Sequence, residues 1–278
     1  MITWLCVVLA VTSTAGPIAG LIALWITALV LAVWFRRFRG TVLTIGLLTW
    51  LLWPHRIGYP PPSPSNGCIS QMRQLQLAIL NYESDHGHFP PPFTVDDKGN
   101  RLHSWRVLIL PYMEQEELYR QIDLTKPWND PVNLKFADQM PQVLQCPSYE
   151  PASLTQRNTT SYVAVVGPQT AWPPTGLRKA SDFKDGTGHT ISLVESEFNR
   201  INWMAPFDPT FDSIVTADGK HQLLLAKCPH KGEAIGAFVD VHTKRIPGDL
   251  DLASLRAMLT IAGGEEVPRQ FQSSGTMR

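Results

Sequence analysis

The first 54 residues contain no aspartate and no glutamate, and their only basic side chains are Arg36, Arg37 and Arg39. A stretch so poor in charge reads as lipid-facing chain, and it separates the sequence into two parts of different class. The rest carries 21 basic against 24 acidic side chains, a net of three negative charges, with no Lys/Arg stripe. That balance excludes nucleic acid as a partner, because phosphate binding needs basic side chains gathered on one face. The chain also lacks a Gly-x-Ser-x-Gly elbow, a phosphate loop and a dinucleotide fingerprint, so neither an enzyme of those classes nor a cofactor is expected. Around Asp182 and Asp185 the run DFKDGTGHT lacks the alternating acidic spacing of a calcium loop, and Glu195 does not supply it. His86 and His88, followed by His103, His230 and His242, offer no second closely spaced pair, so no metal site is expected from spacing.

What is present at the front is hydrophobic length. Ile18 to Phe35 runs without a charge, Ile2 to Ala15 ahead of it is nearly as apolar, and Thr41 to Trp53 follows the arginines. About 20 apolar residues span a bilayer core. The first run meets that length, whereas the thirteen residues of 41–53 are short and read either as a second span or as an interfacial or re-entrant piece. A cleaved signal peptide would carry a positive n-region, and none precedes Ile18. Retention is therefore expected, with residues 1–54 as a transmembrane anchor spanning at about 18–35 and 41–53. With two spans, the positive-inside rule places Arg36, Arg37 and Arg39 in the cytoplasm and everything after Pro54 outside, as a multi-pass cell-membrane protein. Residues 55–65, with Pro60, Pro61, Pro62 and Pro64, read as a stiff spacer.

The remainder reads as one domain over 66–267 and a tail over 268–278. Ile69, Met72, Leu75, Ile79 and Tyr82 recur at helical spacing over 65–83, and Gly87 and Pro90 end that helix. A second helix opens at Ser104 and is split at Pro111. Residues 161–167, 190–195 and 234–241 are short and β-rich, and Leu252, Leu255, Met258 and Leu259 form a last helix, opened by Asp249 or Asp251 and closed by Gly263-Gly264. Helix, sheet, helix predicts an α+β fold. Asp185-Gly186 predicts a tight turn leading into the 190–195 strand.

The blocks CISQMRQLQLAILNYESDHGHFPP, SWRVLILPYMEQEELYRQIDLTKPWNDPVNL, MPQVLQCPS, TSYVAVVG, SDFKDGTGHTISLVES and DLDLASLRAMLTIAGGE occur in that order. Together they resemble a planctomycete-type, pseudopilin-like family of unknown function whose C-terminal domain carries a His-x(9)-Asp-Gly motif. The resemblance implies a pilin-like domain, an N-terminal helix laid on an antiparallel sheet at the cell envelope. It also implies that the cysteines of two blocks, Cys68 and Cys146, form the disulfide; Cys228 lies outside the blocks and Cys6 in the apolar segment. No Gly-Phe-Thr-Leu-Ile-Glu-type leader motif occurs in residues 1–65, so a stand-alone anchor is expected rather than filament assembly. The motif itself is His230 to Asp240, with Val241 in place of the glycine. His230 and Asp240 are expected to hold a turn rather than move protons. The turn is expected to shift towards His242-Thr243-Lys244, leaving Val241 in ordinary extended conformation.

The functional expectation is a membrane-anchored structural or interaction protein of the cell envelope, not an enzyme, whose partners are the membrane and another envelope protein. The alternative is a ligand-binding sensor, with loops such as Trp172-Pro173-Pro174 or Asn202-Trp203 lining its pocket.

Overall fold

The computed structural model describes residues 64–148, 158–196, 201–214, 230 and 232–272, together with Ile22, Trp25, Ile26, Ala28 and Leu29. The chain divides into two compact units, Met1–Pro60 and Pro61–Arg278. In the first unit the five described positions are helical, and Ile22, Trp25, Ile26 and Leu29 expose 56, 43, 52 and 53% of their surface. The rest of the 18–35 run, the 41–53 run, Arg36, Arg37, Arg39, Cys6, Cys228 and most of the spacer lie outside the described residues. Among the described residues no helix is long and apolar enough to cross a membrane.

The second unit is built on helix α1 (Pro64–His86). Its apolar residues fall at three- and four-residue spacing, which places Met72, Leu75, Ile79 and Tyr82 on one buried stripe while Leu77 stays half exposed on another. Each side chain fully buried on that stripe contributes about 1.5–3 kcal/mol by leaving water. Gly87 ends the helix in the left-handed region at φ 73°, its N–H donating to Glu83 O at 2.8 Å.

A short hairpin follows, β1 (Phe93–Val95) against β2 (Arg101–Ser104), which the sequence pattern did not single out. Strands of three and four residues are too short to show a period of two. Their turn is closed by Asp96, whose Oδ1 accepts from Lys98 N and Asn100 N at 2.9 and 2.8 Å. Ser104 caps α2 (Trp105–Leu108) as expected, and the chain then tightens into a 3-10 turn over Leu110–Met113 at Pro111 before α3 (Glu116–Gln121) and α4 (Pro131–Leu134).

The main sheet is antiparallel in the order β3 (Tyr162–Ala164), β4 (Ile191–Glu195), β5 (Glu233–Phe238), β6 (Thr243–Pro247). The short α5 (Phe211–Ile214) lies between β4 and β5 in sequence. Alternation along each strand feeds two cores. Tyr162, Ala164, Leu193, Ile235 and Ala237 pack with the α1 stripe. Val163, Val165, Val194, Ala234 and Phe238 pack with Leu255, Met258 and Leu259 of α6 (Leu252–Leu259). Helix plus antiparallel sheet is the α+β arrangement expected from the sequence. Asp251, not Asp249, caps α6, its Oδ1 accepting from Ser254 N at 2.8 Å. That helix ends at Leu259, four residues before Gly263, because Thr260 leaves it to bridge Thr170. Packing runs on past 267: Arg269–Phe271 form a 3-10 turn and Phe271 is buried.

One local expectation is corrected. The β5–β6 turn does not shift: Val241 occupies the left-handed region at φ 77°. Phe238 N donates to His242 O at 2.9 Å and Val241 N to Phe238 O at 3.0 Å, a three-residue loop that ordinarily places glycine at its third position. The physical reason is register. Glu233 pairs with Pro247 and Ala237 with Thr243, and Ile246 is fully buried on the α6 side. A one-residue slip would turn Ile246 out and Arg245 in, a larger cost than one strained residue. Gly236 makes that placement fit, since a Cβ there would meet Ile246 Cδ1 at 2.5 Å.

Candidate functional site

Four chemically capable side chains meet where α1 begins. Cys68 lies in the first turns of α1, and Cys146 follows a 3-10 turn at Gln142–Leu144. They form a disulfide with a Cα separation of 5.4 Å across 78 positions of sequence, the pair that the sequence resemblance implied. Closing so long a loop contributes about 4–5 kcal/mol on chain-entropy grounds. The approach depends on Gly67, where a Cβ would stand 3.0 Å from Pro147 Cγ. Ser161 Oγ fixes the other side by accepting from Cys146 N at 3.0 Å. Both cysteines are buried.

His230 and Glu195 complete the cluster. Glu195 ends β4 opposite Tyr162, and His230 precedes β5, where its carbonyl accepts from Glu233 N at 2.9 Å. His230 Nε2 stands 3.2 Å from Cys68 Sγ, 3.4 Å from Cys146 Sγ and 3.3 Å from Glu195 Oε1. The Glu195 side chain is fully buried and that of His230 is 8% exposed. Burial, and then the Arg245 guanidinium, hold the His230 imidazole below its usual pKa against the opposing charge of Glu233. Tyr162, buried beside Glu195, is pushed well above the usual tyrosine range by burial first and by the carboxylate second; its hydroxyl donates to Gln71 Oε1 at 2.7 Å.

The two named ends of the His-x(9)-Asp motif do different things. β5 lies between them, and a strand rises about 3.3 Å per residue, so His230 and Asp240 sit at opposite ends of one strand and cannot share a reaction. Asp240 does hold the turn, accepting from His242 N at 3.2 Å and meeting His242 Nδ1. His242 stacks on Phe238 with ring centres 4.1 Å apart, and its Nε2 lies 3.1 Å from Phe271 O. His230 holds no turn of that hairpin and faces the disulfide instead.

Asp185 and Gly186 form the expected turn, with Gly186 at φ 98° and its N–H donating to Phe183 O at 3.1 Å. Asp185 does more than turn the chain. Its carboxylate accepts from Gly263 N at 2.7 Å and Gly264 N at 3.1 Å, tying the turn to the loop after α6. Asp185, His189, Gly264, Glu265 and Val267 line a depression of about 240 Å³ beside this contact.

The tryptophans considered for a ligand pocket belong to the core. Trp172 packs on Trp105 with ring centres 5.1 Å apart and donates to Ser192 O at 2.7 Å, while fully buried Trp203 donates to Ala137 O at 3.0 Å. His86 and His88 stay near the surface, each ring bonded to a local carbonyl, Tyr82 O and Phe89 O respectively. Sequence spacing could not find the Cys68, Cys146, Glu195, His230 cluster, because its members come from four separate segments.

A family model described as protein of unknown function (DUF1559) matches residues 65–176. The match takes in α1, the β1–β2 hairpin, β3 and both disulfide cysteines, and ends before Glu195 and His230. No curated protein and no solved structure matches the chain.

Proposed function

We propose that this chain is a membrane-anchored structural or interaction protein of the cell envelope, whose α+β domain is held outside the cytoplasm on an N-terminal apolar anchor. The observation that carries the reading is the buried Cys68–Cys146 disulfide at the start of the first domain helix. Structural disulfides persist in oxidising compartments, so a staple at the start of the first domain helix fits a domain that folds after export. The charge-free 18–35 run and a second span at 41–53, with the arginines between them, supply an anchor and put the domain outside. The pseudopilin-like resemblance adds the envelope as the setting. Burial of Trp172 and Trp203 weighs against the sensor reading, since neither ring is offered to a ligand.

Alkaline phosphatase fused after Arg278 tests this reading, because that enzyme is active only outside the cytoplasm. Active fusions, together with crosslinking in intact membranes that joins the domain to an envelope protein, are the expected result. Activity only from a cytoplasmic reporter at the same position would overturn it.

A further inference from the structure

We propose that Cys68, Cys146, His230 and Glu195 form a four-coordinate site for a divalent metal of the zinc class once the Cys68–Cys146 disulfide is reduced. The staple would then have two closed states, a disulfide and a metal dithiolate. The donor set is the first reason. Two sulfurs, an imidazole nitrogen and a carboxylate oxygen all lie within 4.8 Å of one another, and thiolate, imidazole and carboxylate are the ligands zinc takes in tetrahedral sites. The second reason is spacing. With metal–ligand bonds of about 2.0–2.3 Å, tetrahedral ligands stand roughly 3.3–3.8 Å apart. His230 Nε2 lies 3.2, 3.4 and 3.3 Å from Cys68 Sγ, Cys146 Sγ and Glu195 Oε1, so three of the six edges are close to that geometry. The sulfurs are held together covalently in the disulfide, and cleavage frees them to separate.

Charge is the third reason. With Glu195 ionised, the oxidised cluster carries one negative charge. Reduced and fully ionised, it would bury three, at a high desolvation cost. A divalent cation brings the total back to one, so the disulfide and metal states present the same net charge to the surrounding core. The chemistry balances. A dithiol or phosphine reductant supplies two electrons and is itself oxidised, each cysteine takes a proton, and the metal displaces both protons on binding.

The test uses the full chain purified in detergent with Cys6→Ser and Cys228→Ser, which removes the two other thiols. After phosphine reduction it is titrated with Co²⁺. The expected result is one cobalt per chain, a thiolate-to-cobalt charge-transfer band and the intense visible bands of tetrahedral cobalt, bleached by Zn²⁺ and absent before reduction. Glu195→Gln and His230→Ala keep both cysteines and should each shift the visible bands. Each should also weaken binding by at least the roughly tenfold that loss of even an outer-shell partner costs. A reduced protein that stays folded by circular dichroism but shows no charge-transfer band would overturn the proposal. Bands that are unchanged in both variants would overturn it as well.

Discussion

Arg106 meets Asp208 in a two-pronged ion pair sealed from water, with Nη1 to Oδ2 at 3.0 Å, Nη2 to Oδ1 at 2.5 Å and both side chains at most 1% exposed. The pair is embedded in further bonds. Arg106 also donates to Tyr162 O at 2.7 Å and Ser104 Oγ at 2.7 Å, and Asp208 Oδ1 accepts from Ala164 N at 2.9 Å. The network joins α2 and β3 to the loop before α5.

Because those charges are fully desolvated, their mutual removal and the removal of one partner have different consequences. Arg106→Met should destabilise the domain by about 3–5 kcal/mol, since it strands a buried carboxylate. Adding Asp208→Leu should recover part of that loss. Urea denaturation of the two variants beside the wild type checks this, and a loss under about 1 kcal/mol for the single variant would remove the network from the list of essential contacts.

Val241 at φ 77° predicts the opposite sign. Glycine adopts that backbone without penalty, whereas a β-branched residue there carries strain of about 1–3 kcal/mol. Val241→Gly should therefore raise the melting temperature, with a net gain of about 1 kcal/mol after the added freedom of the unfolded chain is subtracted. A lower melting temperature would mean that the hairpin relieves Val241 by other means.

His103 predicts a pH dependence. Its Nε2 donates to Asp123 O at 3.3 Å, its Nδ1 is buried without a hydrogen-bond partner among the described residues, and burial holds its pKa below the usual histidine range against the Asp123 and Lys126 backbone. A proton on Nδ1 would bury an unsatisfied donor. The unfolded chain thus takes up this proton first, so the stability His103 confers is complete above about pH 6.5 and is lost as pH falls through that value towards the lower folded pKa. Measured from pH 8 down to pH 5, the stability of wild type relative to His103→Gln should fall. A difference that stays flat over that range would refute the assignment.

Much of the fold was legible because it rests on local rules. The stripe Met72, Leu75, Ile79 and Tyr82 announces α1 by its period, Ser104 announces α2 by capping chemistry, Asp249 and Asp251 mark the start of α6 without choosing between them, and Asp185-Gly186 announces a turn. The disulfide came from resemblance rather than from any rule of spacing. The β1–β2 hairpin was not legible, since its pairing is held by Asp96 and by the strands' contact with each other rather than by a pattern in either one.

The sequence by itself determined the apolar front, the near-balanced charge of the rest, the first and last helices and the order of helix and sheet, all of which follow from composition and from contacts a few residues long. Only the tertiary structure decided the rest. The backbone of Val241 is set by the β5–β6 register, because Ile246 must face the α6 core. The cluster around His230 exists because α1, the Cys146 loop, β4 and β5 end at one place, and no spacing along the chain encodes a meeting of Cys68 with a histidine 162 positions away.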